Sequence, residues 1–413
     1  MRRFTDSWIL ILVMLLIDLY VFQALKVAFH SVSPKLKTVI FGTYWVLSIG
    51  AMILLAAFPY INFEAWPGTL RAYTLTIMIG MFLSKAITVL FLLIDDLRRL
   101  VQWAIARFTT SSVPSGGGVG ISRSVFLSWL GIALGGSLMS TFVWGFTNKY
   151  NYQLRKVKLN FPNLPKAFSG LKIIQISDIH SGSFNDQKAV AHGIKTILDQ
   201  NADLILFTGD IVNNQTQELI PYKEVFAGLK APMGVYSILG NHDYGDYHHW
   251  DTPETKAQNL ERLVDMQREM GWKLLLNEHV VLEKDGEQIA LLGVENWGAK
   301  ANFPKYGKLD KAYAGTEKYP FKILMSHDPS HWDAQIRPEY SDIDLTLSGH
   351  THGMQFGVEI PGFKWSPVQY VYKQWAGLYE EANQKLYVNR GYGFIGYPGR
   401  VGILPEITLI ELA

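Results

Sequence analysis

Four apolar runs, at 8–29, 38–60, 73–94 and 125–146, set the first limit on what this chain can become. Each is long enough for a helix that crosses a bilayer, which takes ~20 residues. Burying four such helices in so short a stretch would need a far larger soluble core than the chain can supply. A cleaved secretory signal does not account for the first run, which is too long and is followed by three more. Residues 1–147 are therefore expected to form an all-α membrane domain of four transmembrane helices.

Asp18 and Lys85 lie inside these runs. Charges at that depth are costly, so they face a bundle interior or snorkel to the interface. A packing role and a functional role are both open for them. Between the third and fourth runs, apolar and basic residues alternate over 95–108, as on a surface-lying helix. The stretch Ser115-Gly116-Gly117-Gly118 then reads as a flexible linker.

Basic residues give an orientation. Lys35, Lys37, Arg98, Arg99, Arg107 and Arg123 fall on one side, against Arg2, Arg3 and Arg71 on the side of the termini. The positive-inside rule then puts both termini, and everything after the fourth span, outside the cytoplasm of a multi-pass cell-membrane protein. Lys149, Arg155, Lys156 and Lys158 pull the other way.

Composition adds exclusions. A net charge of +2 gives no basic face for nucleic acid. The absence of cysteine removes disulfides, thiolate metal sites and cysteine nucleophiles. Any metal must be held by nitrogen and oxygen.

Residues 148–170 are polar, contain Pro162 and Pro165, and read as an extended joining stretch. From 171 onward short apolar runs end in chemistry. A strand expected at 171–176 ends in Ser177-Asp178-Ile179-His180, and one at 204–208 ends in Gly209-Asp210. One at 235–239 ends in Gly240-Asn241-His242-Asp243, one at 322–325 in Ser326-His327, and one at 344–347 in Ser348-Gly349-His350-Thr351-His352. Further strands fit 289–294, 385–388 and 407–412, and a helix fits 189–200. Ligands of open α/β sheets bind at the carboxyl ends of strands, so five strand ends that each carry a His, Asp or Asn can meet in one place. Asp178 and His180 are two apart, as are His350 and His352, which in an extended segment puts each pair on one side. Such ligands suit Mn, Fe or Zn better than Mg or Ca. His242 is the candidate proton donor, with Asp243 to orient its ring.

These blocks, D-x-H, G-D, G-N-H-D, a lone His and G-H-x-H, resemble the calcineurin-like metallophosphoesterase superfamily across 171–413. Met354 and Gln355 after the last block, and Asn389-Arg390-Gly391-Tyr392-Gly393 later, are similar to its membrane-tethered bacterial branch. Met354 stands where that branch has Gly, and Asp328 where it often has Asn. The resemblance implies an α/β domain of two facing β-sheets flanked by helices. It implies two divalent metal ions, Mn favoured: one on Asp178, His180 and His352, the other on Asn241, His327 and His350, with Asp210 between them. It implies hydrolysis of phosphate mono- or diesters by a metal-activated hydroxide. A membrane anchor makes the bilayer a partner and a lipid-linked ester a candidate substrate. The alternative is a non-catalytic membrane scaffold that uses the same fold; the complete ligand set speaks against it. Arg390 and Arg400 read as salt-bridge or surface residues rather than phosphate contacts.

Overall fold

The computed structural model describes residues 2–61, 66–109, 122–300 and 303–413. The Ser115–Gly118 linker lies outside the described residues. The chain divides into two compact units, Met1–Trp144 and Gly145–Ala413.

The first unit is helical: α1 (Arg2–Ala28), α2 (Pro34–Ala57), α3 (Gly68–Thr109) and α4 (Val125–Gly145). All four are long and apolar enough to cross a membrane. Exposed Trp8, Val39, Val46 and Phe126 present apolar surface outward, as helices in lipid do. The surface-lying segment expected at 95–108 is no separate element. It continues α3 as one helix of 42 residues, since neither Gly nor Pro interrupts the stretch. Its polar groups are tied down: Arg98 pairs with Asp95 at 2.8 Å, while Arg99 and Arg123 pair with Asp96 at 3.0 and 3.1 Å.

Asp18 and Lys85 meet. Lys85 Nζ lies 2.5 Å from Asp18 Oδ1, which also accepts from Tyr44 at 2.7 Å and from Ser48 at 2.9 Å. Three helices are pinned at one buried point.

The second unit is built on strands β1 (Gln153–Leu159), β2 (Lys172–Ile176), β3 (Leu204–Phe207), β4 (Val235–Ser237), β5 (Lys273–Leu274), β6 (Glu278–Lys284) and β7 (Glu287–Gly293). They are followed by β8 (Lys322–Met325), β9 (Leu345–Ser348), β10 (Val358–Ile360), β11 (Phe363–Trp365), β12 (Gly377–Glu381), β13 (Gln384–Val388) and β14 (Glu406–Leu412). One sheet runs β1-β14-β2-β3-β4-β5 and the other β12-β13-β9-β8-β7-β6. Their inner faces share a core that includes Ile173, Leu204, Ile289, Ile323, Leu345 and Ile410. Helices α5 (Gln187–Leu198), α6 (Lys223–Ala227) and α7 (Pro253–Glu269) belong to the unit, and Val190, Phe226 and Leu263 cover the outer face of the first sheet. The unit is thus two facing sheets flanked by helices.

Residues 153–159, expected as part of the joining stretch, are extended but paired. They form the edge strand β1, parallel to β14. Arg155, Lys156 and Lys158 hid it, because an edge strand keeps charge on its solvent side. The ribbon β10–β11 stands apart from both sheets.

Candidate metal centre

The inner strands β2, β3 and β4 run parallel, as do β7, β8 and β9, so their carboxyl ends line up within each sheet. The expected residues arrive there in two groups. Asp178, His180 and His352 form one; Asp210, His327 and His350 form the other. Within each group the candidate ligand atoms all lie within 4.8 Å of one another. Asn241 joins the second, its Oδ1 2.8 Å from His350 Nδ1. Asp210 Oδ2 sits between the groups, 3.1 Å from His327 Nε2 and 3.6 Å from His180 Nε2.

The means differ from the extended geometry expected for D-x-H and H-x-H. Asp178 (φ 51°), His180 (φ 49°), Asp210 (φ 64°), His350 (φ 74°) and His352 (φ 50°) are all left-handed. Each such residue other than Gly costs of order 1 kcal/mol or more, and such strain collects at functional sites. Glycine allows the close approach. A Cβ on Gly240 would meet Asp210 Oδ1 at 2.2 Å, and one on Gly349 would meet Asp178 Oδ2 at 2.3 Å.

The donor set fits divalent metals. His180 Nδ1 and Nε2, His327 Nε2 and His352 Nε2 are buried with no hydrogen-bond partner. Orphaned buried nitrogens are costly unless something else takes their lone pairs. His327 Nδ1 donates to Thr208 O at 2.7 Å, which frees Nε2 as a ligand atom. Burial pushes His180 down to about 3 and His352 well below the usual imidazole range, so both stay neutral. Burial acts likewise on His327, but Asp210 beside it outweighs burial and raises it to about 10. Burial, reinforced by Asp210, lifts Asp178 to about 6. Two buried carboxylates this close call for positive charge.

His242 faces the same space, its ring 5.0 Å from that of His180. Its Nδ1 donates to Asn213 O at 2.8 Å, leaving Nε2 available. The orienting partner is therefore Asn213, and the expectation for Asp243 is corrected. Adjacent residues on this turn point apart. Asp243 instead accepts from the backbone N–H groups of Asp210 (2.9 Å), Ile211 (2.8 Å) and Gly240 (2.8 Å), tying the ligand loops together.

Comparison with known proteins agrees with this geometry. Residues 171–354 match the family model for the calcineurin-like phosphoesterase, and residues 1–149 that for a probable calcineurin-like phosphoesterase transmembrane domain. The metallophosphoesterase YkuE of Bacillus subtilis is 32% identical over 257 residues, 60% of this chain and 81% of that protein. The chain belongs to the calcineurin-like phosphoesterase family. A transmembrane protein with metallophosphoesterase domain from Danio rerio is 29% identical over 62% of this chain, which spans 56% of that relative's length. The UDP-2,3-diacylglucosamine pyrophosphatase LpxG of Chlamydia trachomatis is 28% identical over 61% of this chain and 87% of its own.

Around this calcineurin-like centre stand Tyr372, which the sequence did not single out, and Arg400, whose expected surface or salt-bridge place is corrected: it is fully buried and bonded to backbone carbonyls. Tyr372 Oη is 2.8 Å from His350 Nε2 and donates to Asp328 Oδ2 at 3.3 Å. Arg400 is buried; it donates to Arg390 O at 2.7 Å and stands 3.2 Å from His352 Nδ1. After burial and His180, its charge is a further reason that His352 resists protonation. Arg390 is in a buried ion pair with Glu406 at 2.5 Å, as expected of a salt-bridge residue. A bond to a carbonyl leaves no mark in a sequence, so the buried place of Arg400 could not be read there.

Proposed function

We propose that this chain is a membrane-anchored, divalent-metal-dependent hydrolase of phosphate esters, with Mn as the favoured metal. The observation that carries the reading is the double group of candidate ligands around Asp210, with its buried, unpartnered imidazole nitrogens. One metal belongs on Asp178, His180 and His352, and the other on Asn241, His327 and His350. When bound, two such ions supply an activated water nucleophile and neutralise the phosphoryl oxygens.

The chain's own residues do the rest. Asp210 faces both groups and fixes their separation. His327, held by Thr208 O, presents Nε2 in a single orientation. His242, held by Asn213 O, presents Nε2 toward the reacting group, and in the imidazolium form it hands the Nε2 proton to the leaving oxygen and becomes neutral. Asp243 keeps the Asp210 and Asn241 loops in register through backbone N–H groups.

Lipid-linked phosphate esters are the proposed substrate class, because the anchor holds the centre at high local concentration of such molecules. LpxG is a pyrophosphatase of a diacylated sugar nucleotide, which supports the class. The domain is proposed to lie outside the cytoplasm. A panel of soluble and lipid phosphate esters, assayed with Mn in detergent, tests the first proposal: no hydrolysis of any member refutes it. Protease accessibility on intact cells tests the second, and protection of the domain refutes it.

A further inference from the structure

The ribbon β10–β11 has its amphipathicity reversed. In its register Val358 pairs with Trp365, Ile360 with Phe363, and Glu359 with Lys364. Side chains alternate along a strand, so the first two pairs share one face and the charged pair takes the other. An ordinary surface ribbon turns its charges to water. Here Glu359 turns to the domain and pairs with Arg155 and Arg390, each at 2.7 Å. Lys364 lies over the rings of Trp375 (4.9 Å) and Tyr379 (5.2 Å). The apolar face is left outside: Ile360 is 58% exposed, Phe363 54% and, just beyond the ribbon, Tyr370 78%. No Asp, Glu, Lys or Arg lies on that face.

The ribbon's root lies beside the residue at which the unit begins. Gly145, also the last residue of α4, accepts from Arg400 N at 2.9 Å. The next residue, Val401, donates to Gln355 O at 2.8 Å and accepts from Gly357 N at 2.9 Å. Val358 of β10 follows directly. The first residue of the second unit is thus hydrogen-bonded, through one short segment, to the base of an outward apolar ribbon.

We infer that this ribbon is a lipid contact: Ile360, Phe363 and Tyr370 sit in the headgroup–acyl boundary of the bilayer that carries the anchor. Aromatic side chains favour that boundary, and a face without charge crosses into it cheaply. Both ends of the ribbon run back to the centre, through His352 before it and Tyr372 after it, so the contact fixes the centre's height above the lipid.

The chain has no cysteine, which makes a direct test clean. Ile360→Cys and Phe363→Cys, each in the full chain reconstituted in phosphatidylcholine–phosphatidylglycerol vesicles, carry an environment-sensitive fluorophore. Ile220→Cys, at an equally exposed apolar position (63%), is the reference. The expected result is quenching of the labels at 360 and 363 by nitroxides on lipid acyl chains, with protection from iodide, and the reverse at 220. Three results overturn the inference. One is iodide access at 360 and 363 equal to that at 220. Another is protection from iodide without lipid quenching, which marks a protein partner or a second copy. The third is equal lipid quenching at all three positions. No readout depends on hydrolysis, so failure of the proposed activity leaves this test intact.

Discussion

The molecule buries charge in two places and treats it in opposite ways. In the membrane unit, Asp18 and Lys85 close on each other, with Tyr44 and Ser48 taking up hydrogen bonds; only Asp18 Oδ2 is left over. In the second unit, four buried imidazole nitrogens have no hydrogen-bond partner, and five of the residues at the site have left-handed backbone. A cluster that satisfies itself has a structural explanation in full. A cluster that stays unsatisfied at the cost of backbone strain is built for something that arrives later. The comparison makes the first a lock and the second a receptor for cations.

The sharpest way to break that contrast is at Asp210. Asp210→Asn removes the one carboxylate that faces both groups. The expected loss is several kcal/mol of transition-state stabilisation, about a thousandfold in kcat/KM. Bound Mn, measured on the purified chain, should fall with it. Full activity with full metal content would overturn the ligand assignment.

Lys85→Met probes the other cluster. Removing one partner of a buried pair strands the other charge, at about 3 kcal/mol. Unfolding in mixed micelles should show that loss, and pairing Lys85→Met with Asp18→Asn should recover much of it. Hydrolysis of a soluble ester should hold. If the single variant is as stable as the parent, the lock is no lock.

His242→Gln separates proton transfer from metal binding within the receptor cluster. kcat is expected to fall about a hundredfold, the low end for general acid catalysis, with metal content unchanged. Rescue with a leaving group that needs no proton, such as a nitrophenolate, completes the test. A loss equal for both kinds of ester would assign His242 a structural role.

The two clusters were unequally legible. Ligands could be read because inner strands, buried on both faces, write continuous apolar runs, and each run stops at its ligand: Ile173, Ile174 and Ile176 before Asp178, for example. Edge elements obey no such rule. β1 carries Arg155, Lys156 and Lys158, and β6 carries Glu278, Glu283 and Lys284, so their periodicity is masked. The inverted ribbon was illegible for a stronger reason: which face of Val358–Ile360 is outward depends on the pairing of Glu359 with Arg155 and Arg390, 204 and 31 residues away, and neither is a local signal. Asp18 and Lys85 could be seen as costly, but their pairing depends on helix register. The left-handed backbone at His180 and His352 cannot be read at all, since residues other than Gly rarely adopt it and no local pattern marks them.

The smallest expected effects sharpen the comparison furthest, because each cluster has a tyrosine hydroxyl bonded to one of its charged or imidazole side chains. Tyr44 donates to Asp18 Oδ1, which keeps Lys85 and Ser48 when that hydroxyl goes. Tyr44→Phe should therefore cost about 1 kcal/mol of stability, the net worth of one hydrogen bond. Tyr372 stands between His350 Nε2 and Asp328 Oδ2. With a metal held by His350 Nδ1 and Asn241 Oδ1, Nε2 would carry the imidazole proton and donate to Tyr372, which donates in turn to Asp328. Burial, with Asp328 beside it, raises the phenol above its usual range, so this donor persists at any working pH. Loss of such an outer partner typically weakens metal affinity about tenfold or more. Tyr372→Phe should leave unfolding of the chain without metal nearly unchanged and raise the Mn dissociation constant about tenfold, read by calorimetric titration. Equal effects of the two substitutions on stability, with Mn affinity untouched, would mean that both clusters are locks.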